Sequence, residues 1–332
     1  MSRKIHQTTS TSRFAVKALP ALVGAAAVLL SMGASAETLR IGTLPAADSI
    51  VLHVAKENGL YEKAGLEVEL VPFKSALELG AAMRAGRLDG HFGDLMNVFT
   101  QNETGIPQKV VFTTTHTIPQ QRAFALIASP KSATAPKSFD ELKTKKDVTT
   151  AMSSSTIIHY LLDRMTETEK LPEGALKNLE VKQIPIRMQM LLGGKVDTAL
   201  LPEPLVTVVE SKGGKVLWDD RNLNEALAVV ALKSEKLDPK TVDAFRKATA
   251  EAARVIEADP VRYRAVMVQK GLLPAPVAEG YKMVAFSFFG TKDGLPPLPT
   301  PEEVKRVGEW MVGQGMLKAV PAWDQVVVPA AE

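Results

Sequence analysis

The feature that most constrains the fold is a unit that occurs twice. Ala85-Gly-Arg-Leu-Asp-Gly-His-Phe-Gly-Asp94 and Gly193-Gly-Lys-Val-Asp-Thr-Ala-Leu-Leu-Pro202 begin 108 residues apart. Each follows an apolar-periodic helix, at 77–84 and 186–192, that stops at glycine. Each then sets a cation where the helix dipole is negative and an aspartate before a short strand. The spacing is too long for a solenoid repeat, so the copies read as equivalent elements of two similar lobes. The plainer alternative is that helix–glycine–strand junctions resemble one another.

Around these units, short strands and helices alternate, which argues for an α/β fold with largely parallel sheets. A strand at 38–42, a helix from Ile50 to the C′ glycine Gly59, and a strand at 66–70 open the first lobe. The turn-rich run Ser129-Pro-Lys-Ser-Ala-Thr-Ala-Pro-Lys-Ser138 marks a boundary. Beyond it come strands at 148–152, 179–183, 197–201 and 216–218, with helices at 156–165 and 186–192. The apolar run 226–232 is placed to cross back. Helices at 239–258 and 260–270 complete the first lobe, and a last helix at 302–314 braces the two. The expected division is 37–127 plus 229–332 for the first lobe and 128–228 for the second. Two crossings that flex together permit hinge closure, and ligands of open parallel sheets bind beyond the strand carboxyl ends. The site is therefore expected in the cleft.

Residues 1–36 read as a secretory signal peptide. Arg3, Lys4, Arg13 and Lys17 precede a short apolar run, and Ala34-Ser35-Ala36 supplies the cleavage pattern. The run is too short to span a bilayer, which takes about 20 residues. Removing four cations turns the net charge of +3 into −1, so nothing in the composition favours a polyanion or nucleic-acid partner. The chain has no cysteine, which excludes disulfides, thiol nucleophiles and Cys-rich zinc sites, and with them a lipid-modified cysteine. A secreted chain without such an anchor is expected free in the periplasm, as a monomer.

Gly42-Thr-Leu-Pro45, Asn58-Gly-Leu-Tyr-Glu-Lys-Ala-Gly-Leu66, Ile184-Pro-Ile-Arg187 and Leu201-Pro-Glu-Pro204 resemble the nitrate, sulfonate and taurine importer receptors, of the NMT1/THI5-like and SsuA-like kind, which include thiamine-pyrimidine receptors. The resemblance runs over roughly residues 38–325 and implies a type II periplasmic binding protein fold, two α/β lobes joined by two hinge crossings. It implies a substrate-binding protein that delivers a small-molecule solute to the permease subunits of an ABC transporter. It also implies solute contacts from Leu44, Pro45, Asp48 and Ser49, from Gly93 and Asp94, from Thr114 and His116, from Ser153, Ser154, Ser155 and Thr156, and from Glu203. Pyrimidine-synthesising relatives use a Cys-rich iron motif, which this chain lacks.

The chemistry of those residues has two readings at each position. The Ser153–Thr156 run precedes a helix and offers hydroxyls and free N–H groups to a ligand, or merely caps the helix. Pro202 and Pro204 hold the Glu203 carboxylate at a strand end, for a ligand or for a helix start. Asp48 and Asp94 sit in strand-end turns, where N-capping competes with ligand contact. His116 stands in a polar run suited to a cleft wall. Three carboxylate-bearing loops disfavour a bare anion unless a cation compensates, and Arg122 and Arg187 are the candidates for that; Arg187 has the alternative of pairing with a neighbouring acid. A donor-rich solute, aminopyrimidine-like or amine-bearing, is therefore expected, with an organosulfonate or other small anion as the alternative. Trp218, Trp310 and Trp323 lie outside these loops, against an aromatic cage. The histidines have no metal-ligand spacing, and no cofactor motif or catalytic motif occurs. An enzyme on the same fold, using Asp94, His116 and Glu203 as acid and base, is the reading from another class.

Overall fold

Among the described residues, ten strands and the helices between them build two five-stranded sheets of matching design. The computed structural model describes residues 38–286 and 294–329, so the expected leader at 1–36 lies outside the described residues. The strands are β1 (Thr38–Thr43), β2 (Glu67–Pro72), β3 (Gly90–Gly93), β4 (Gln108–His116), β5 (Phe124–Ala128), β6 (Val148–Met152), β7 (Leu176–Glu180), β8 (Thr198–Pro202), β9 (Lys215–Asp219) and β10 (Ala226–Lys233). The first sheet runs β2-β1-β3-β10-β4 and the second β7-β6-β8-β5-β9.

In each sheet the first three strands are mutually parallel, and the fourth, β10 or β5, is antiparallel to its neighbours. That fourth strand is the one that arrives from the other sheet. The crossings therefore fall at 117–123 and 220–225. The sequence places the boundaries after 127 and 228, but β5, buried throughout, pairs with β8 and β9 in the second sheet. The turn formers after Ala128 mark the loop that follows β5, whereas the crossing itself carries no comparable signal.

The two crossings lie side by side. The Thr117 N–H donates to the Glu225 carbonyl at 3.0 Å, and the Glu225 N–H donates to the Thr117 hydroxyl at 3.0 Å. Asp220, buried, accepts the Ala123 and Phe124 N–H groups, and burial pushes its carboxyl up to about 7 against those bonds.

The repeated unit has the same mechanical role in both sheets. Asp89 accepts the Arg40 N–H of β1 at 2.9 Å, and Asp197 accepts the Thr149 N–H of β6 at 3.0 Å. Each aspartate also returns its own N–H to the same residue's carbonyl, at 2.8 and 2.9 Å. The preceding glycines, Gly86 and Gly194, have φ of 69° and 71°, a left-handed turn in which a β-carbon is strained. A polar clasp and a glycine turn thus set where β3 and β8 enter their sheets.

One apolar cluster joins β1 and the helix Ile50–Glu57 to Phe245 of the helix Pro239–Ala258. A second draws on both sheets. It includes Met96 and Phe99 from the helix Leu95–Glu103, Leu161 and Met165 from the helix Ile157–Thr168, and Val304, Val307 and Met311 from the helix Pro301–Gly313. Burying each such side chain is worth about 1.5–3 kcal/mol. Trp310 donates to Asp163 at 2.8 Å, while Arg306 and Arg164 both bind the buried Glu225 carboxylate, at 2.9 and 3.1 Å.

Candidate functional site

Both sheets turn their strand ends toward a common cleft, and four hydrogen bonds cross it. The Ile157 N–H, at the start of the helix Ile157–Thr168, donates to Asp94 Oδ2 at 3.0 Å. The Ala47 N–H donates to the Glu203 carbonyl at 2.9 Å, and the Ile184 N–H to the Lys74 carbonyl at 3.0 Å. The Gln183 amide donates to Glu78 at 2.7 Å. On the first-sheet side the partners are strand-end turns and, for Glu78, the helix Ala76–Arg84; on the second-sheet side they are helix or strand ends.

Beneath these bonds lies a cavity of about 60 Å³, walled by Leu44, Phe92, Phe124, Ile157, Ile184 and Leu227, with Asp48, Asp94, Ser153, Thr156 and Arg187 among its polar groups. A more polar chamber of about 40 Å³ adjoins it, sharing Ala46, Asp48, Phe124 and Pro202, and adding Thr114, His116, Arg122, Glu203 and Tyr281. At roughly 10–15 Å³ for one water, the first cavity suits a compact solute.

The structure shows how each of these side chains is engaged within the protein. Asp94 is an N-cap: Oδ1 caps the helix Leu95–Glu103 through the Asn97 N–H at 2.7 Å, while Oδ2 accepts the Ile157 N–H across the cleft. Burial raises its carboxyl to about 6, outweighing those N–H bonds. Asp48 does not cap a helix. Its Oδ2 accepts the Thr114 hydroxyl at 2.5 Å, and burial raises its pKa against that bond. Ser49 is not among the residues that line the cavity, its hydroxyl donating to the Ala46 carbonyl at 2.8 Å, and Pro45, half-buried, does not line it either. Gly93 lines the cavity where a β-carbon would fall 2.6 Å from Asn97 Oδ1.

In the serine run, Thr156 caps its helix through the Ile158 N–H, and both Ser153 and Thr156 face the cavity. Ser154 and Ser155 are exposed. The Ser154 hydroxyl is spent on Glu180 at 2.6 Å, and Ser155 has φ of 60°. Glu203 binds Arg122 Nε at 2.7 Å and accepts the Thr207 N–H and hydroxyl, while Arg122 also pairs with Glu210. His116 is committed as well: Nε2 meets Glu303 of the helix Pro301–Gly313 at 2.8 Å and Nδ1 lies 3.0 Å from the Thr117 carbonyl. Burial lowers its pKa, but Glu303 and its other neighbours outweigh that and raise it.

Arg187 carries more than the sequence indicates. It is wholly buried in the helix Ile184–Leu192, and its guanidinium donates to the Val181 carbonyl twice and the Leu200 carbonyl once, at 3.0–3.2 Å. Among the described residues no carboxylate stands within ion-pair distance of it. Burial lowers its pKa to about 10, with only a partial offset from Glu180. A sequence signal exists: Arg187 and the fully buried Leu191 are one helical turn apart, so Arg187 shares a buried face. Among the described residues no group of three or more His, Cys, Asp or Glu side chains is placed to hold a metal ion, and no helix is long and apolar enough to cross a membrane.

Comparison with known proteins agrees with this geometry. The model of the NMT1-like family matches residues 33–269. A protein of Brachyspira hyodysenteriae, named as an ABC transporter periplasmic binding protein, is 24% identical over 242 residues, covering 69% of this chain and 68% of that protein. The ligand-binding component of an ABC-type import system from Staphylococcus aureus superposes with a TM-score of 0.70 at 18% identity, over 88% of this chain and 96% of that one. The periplasmic aliphatic sulphonate binding protein SsuA of Escherichia coli gives 0.69 at 19% identity, over 88% and 98%. The two-lobed α/β fold is that of periplasmic binding proteins, and these relatives are named as binding proteins of transport systems, not as enzymes.

Proposed function

The chain belongs to the NMT1-like family, and we propose that it is the solute-binding component of an ABC importer, secreted to the periplasm after cleavage behind Ala36. Two α/β lobes would close over a small solute and present the closed form to permease subunits. The observation that carries this reading is a cavity lined from both sheets, beside hydrogen bonds that run from one sheet's side to the other's. A solute that touches both walls stabilises that closed arrangement by its differential affinity for it.

The binding reading is favoured over turnover because the candidate acids and bases are already engaged. Asp94 accepts two backbone N–H groups, His116 is bound to Glu303, and Glu203 is bound to Arg122. Their positions suit latching more than proton transfer. Asp48 and Asp94 on the first-sheet wall support a solute that offers N–H or O–H donors, the aminopyrimidine-like or amine-bearing class. Native mass spectrometry of the freshly purified protein tests the proposal. A retained small molecule, released unchanged on denaturation, is the expected result. Release of a converted product would replace the receptor by an enzyme.

A further inference from the structure

We infer that Asp94 makes closure of the cleft a proton-linked step: its carboxylate takes up a proton as the two sheets come together and gives it back as they part. The inference rests on the receptor reading, in which the cleft opens and closes, and adds a control on that motion.

The placement of Asp94 carries the argument. It follows β3 of the first sheet, and the bond from the Asn97 N–H to its Oδ1 lies within its own helix start, so that bond does not depend on closure. Its Oδ2 accepts the N–H of Ile157, on the second-sheet side. Ile157 is the first residue of its helix, where the Thr156 hydroxyl serves the next N–H, that of Ile158. Both partners of the crossing bond are buried, Asp94 at 4% and Ile157 at 8% exposed. Phe124, Ser153 and Thr156, also of the second-sheet side, line the same cavity as Asp94. When the sheets part, the Ile157 N–H and these walls move off together, and water takes their place around Oδ2. The full desolvation of Asp94 thus belongs to the closed form alone.

Desolvation penalises a carboxylate and spares the neutral acid. The carbonyl oxygen of the neutral acid can still accept an N–H, so a proton removes the charge without removing the contact. The direction of the shift agrees: burial raises the carboxyl to about 6, although the Ile157 and Asn97 N–H groups pull the other way. The other charged and titratable groups nearby are placed differently. Asp48, Lys182 and Arg187 line the cavity. Burial raises Asp48 too, but the bond that holds it comes from Thr114 of the first sheet. Lys182 is exposed, and Arg187, at about 10, keeps its proton from neutral to acid pH. His91, on β3, is lowered to about 4 by burial. His159 faces Asp163 at 3.7 Å and the Trp310 ring, and Glu78 is half-buried against Gln183. At the crossings, Asp220 and the His116–Glu303 pair are titratable as well. A substitution at Asp94 leaves all of these in place, so its comparison with the wild type isolates Asp94.

Time-resolved energy transfer between labels at Glu67→Cys and Lys177→Cys measures the closed-to-open ratio. These exposed residues lie on β2 and β7, the edge strands farthest from the crossings in each sheet, and the chain has no cysteine of its own. The protein is first stripped of any retained solute by unfolding and refolding. Between pH 7 and pH 5 the wild-type closed-to-open ratio is expected to rise about tenfold, the linkage for a carboxyl at about 6 in the closed form and at its ordinary value in the open one. Asp94→Asn keeps the shape of the acid and its ability to cap a helix. It is expected to be as closed at pH 7 as the wild type is at pH 5, with most of the pH dependence gone. A wild-type ratio that stays constant or falls on acidification overturns the inference. So does an Asp94→Asn ratio that tracks the wild type, which assigns the response to another group, and so does a single separation at every pH in both proteins. The receptor reading is judged apart from these outcomes, by the retained solute: a protein that keeps a small molecule and releases it unchanged stands as a receptor whichever way Asp94 titrates.

Discussion

Asp94→Asn isolates the cost of placing a charge at the closed seam. Ionised Asp94 accepts the Asn97 and Ile157 N–H groups, yet burial still raises its carboxyl from 3.8 to about 6. The folded state therefore holds the proton more tightly than the unfolded chain. As pH rises from about 4 to above 6, the wild-type protein loses stability through this group. At about 1.4 kcal/mol per pH unit, the loss approaches about 3 kcal/mol. Asparagine cannot ionise and resembles the protonated acid in shape, so the variant avoids that loss. Chemical denaturation of both proteins at pH 4 and pH 7 supplies the measurement. The stability difference should move by about 2.4 kcal/mol in the variant's favour between the two pH values, part of the full loss having already occurred by pH 4. A difference that stays constant, or moves toward the wild type, would show that the two N–H bonds outweigh desolvation and would refute the reasoning.

Two other perturbations follow from the same geometry. The His116–Glu303 pair stabilises most between about pH 4.5 and 6.5: the raised His116 contribution is lost as pH rises through its folded pKa, and the lowered Glu303 contribution as pH falls through its own. Glu303→Gln should therefore cost about 3 kcal/mol at pH 6 and clearly less at pH 9, by urea denaturation; equal costs at both would contradict the pairing. Gly93→Ala places a β-carbon 2.6 Å from Asn97 Oδ1 and 2.8 Å from His91 Cδ2, and should destabilise by about 1–3 kcal/mol in a thermal melt, whereas an unchanged melt would show that Asn97 yields freely.

The sequence reveals those parts of the fold where backbone needs and apolar patterning coincide. The duplicated glycine-aspartate unit is legible because a left-handed turn and an N–H clasp both demand particular residues, and the two copies make matching bonds. The edge strand β7 is not legible: three of its five residues are Lys177, Asn178 and Glu180, it is largely exposed, and the apolar signal shifts the expected strand to 179–183. The apolar part of β4 likewise goes unassigned, with only its polar end at 114–117 read. At the site, loop position marks Asp48, Gly93, Asp94, Ser153 and Thr156 as expected ligand contacts, and the structure places these five on one cavity. It does not separate Ser154 and Ser155, which face out, from their neighbours, because a single positive φ reverses the chain. Nor does it foresee that His116 is held by Glu303, 187 residues away, a partnership that only the folded chain reveals.

The helix Pro301–Gly313 has a consequence for how this molecule can open. Two neighbouring strands alone would let one body roll about more than one line. The late helix binds Asp163 of the second-sheet side and Glu225 of the crossing itself, and rests against the helix Leu95–Glu103, so it ties both sheets to the paired crossings. If the two sheets part to admit a solute, this helix would constrain how they do so from outside the cavity wall. A chain cut at residue 300 would keep every side chain that walls the cavity and would lose its steering.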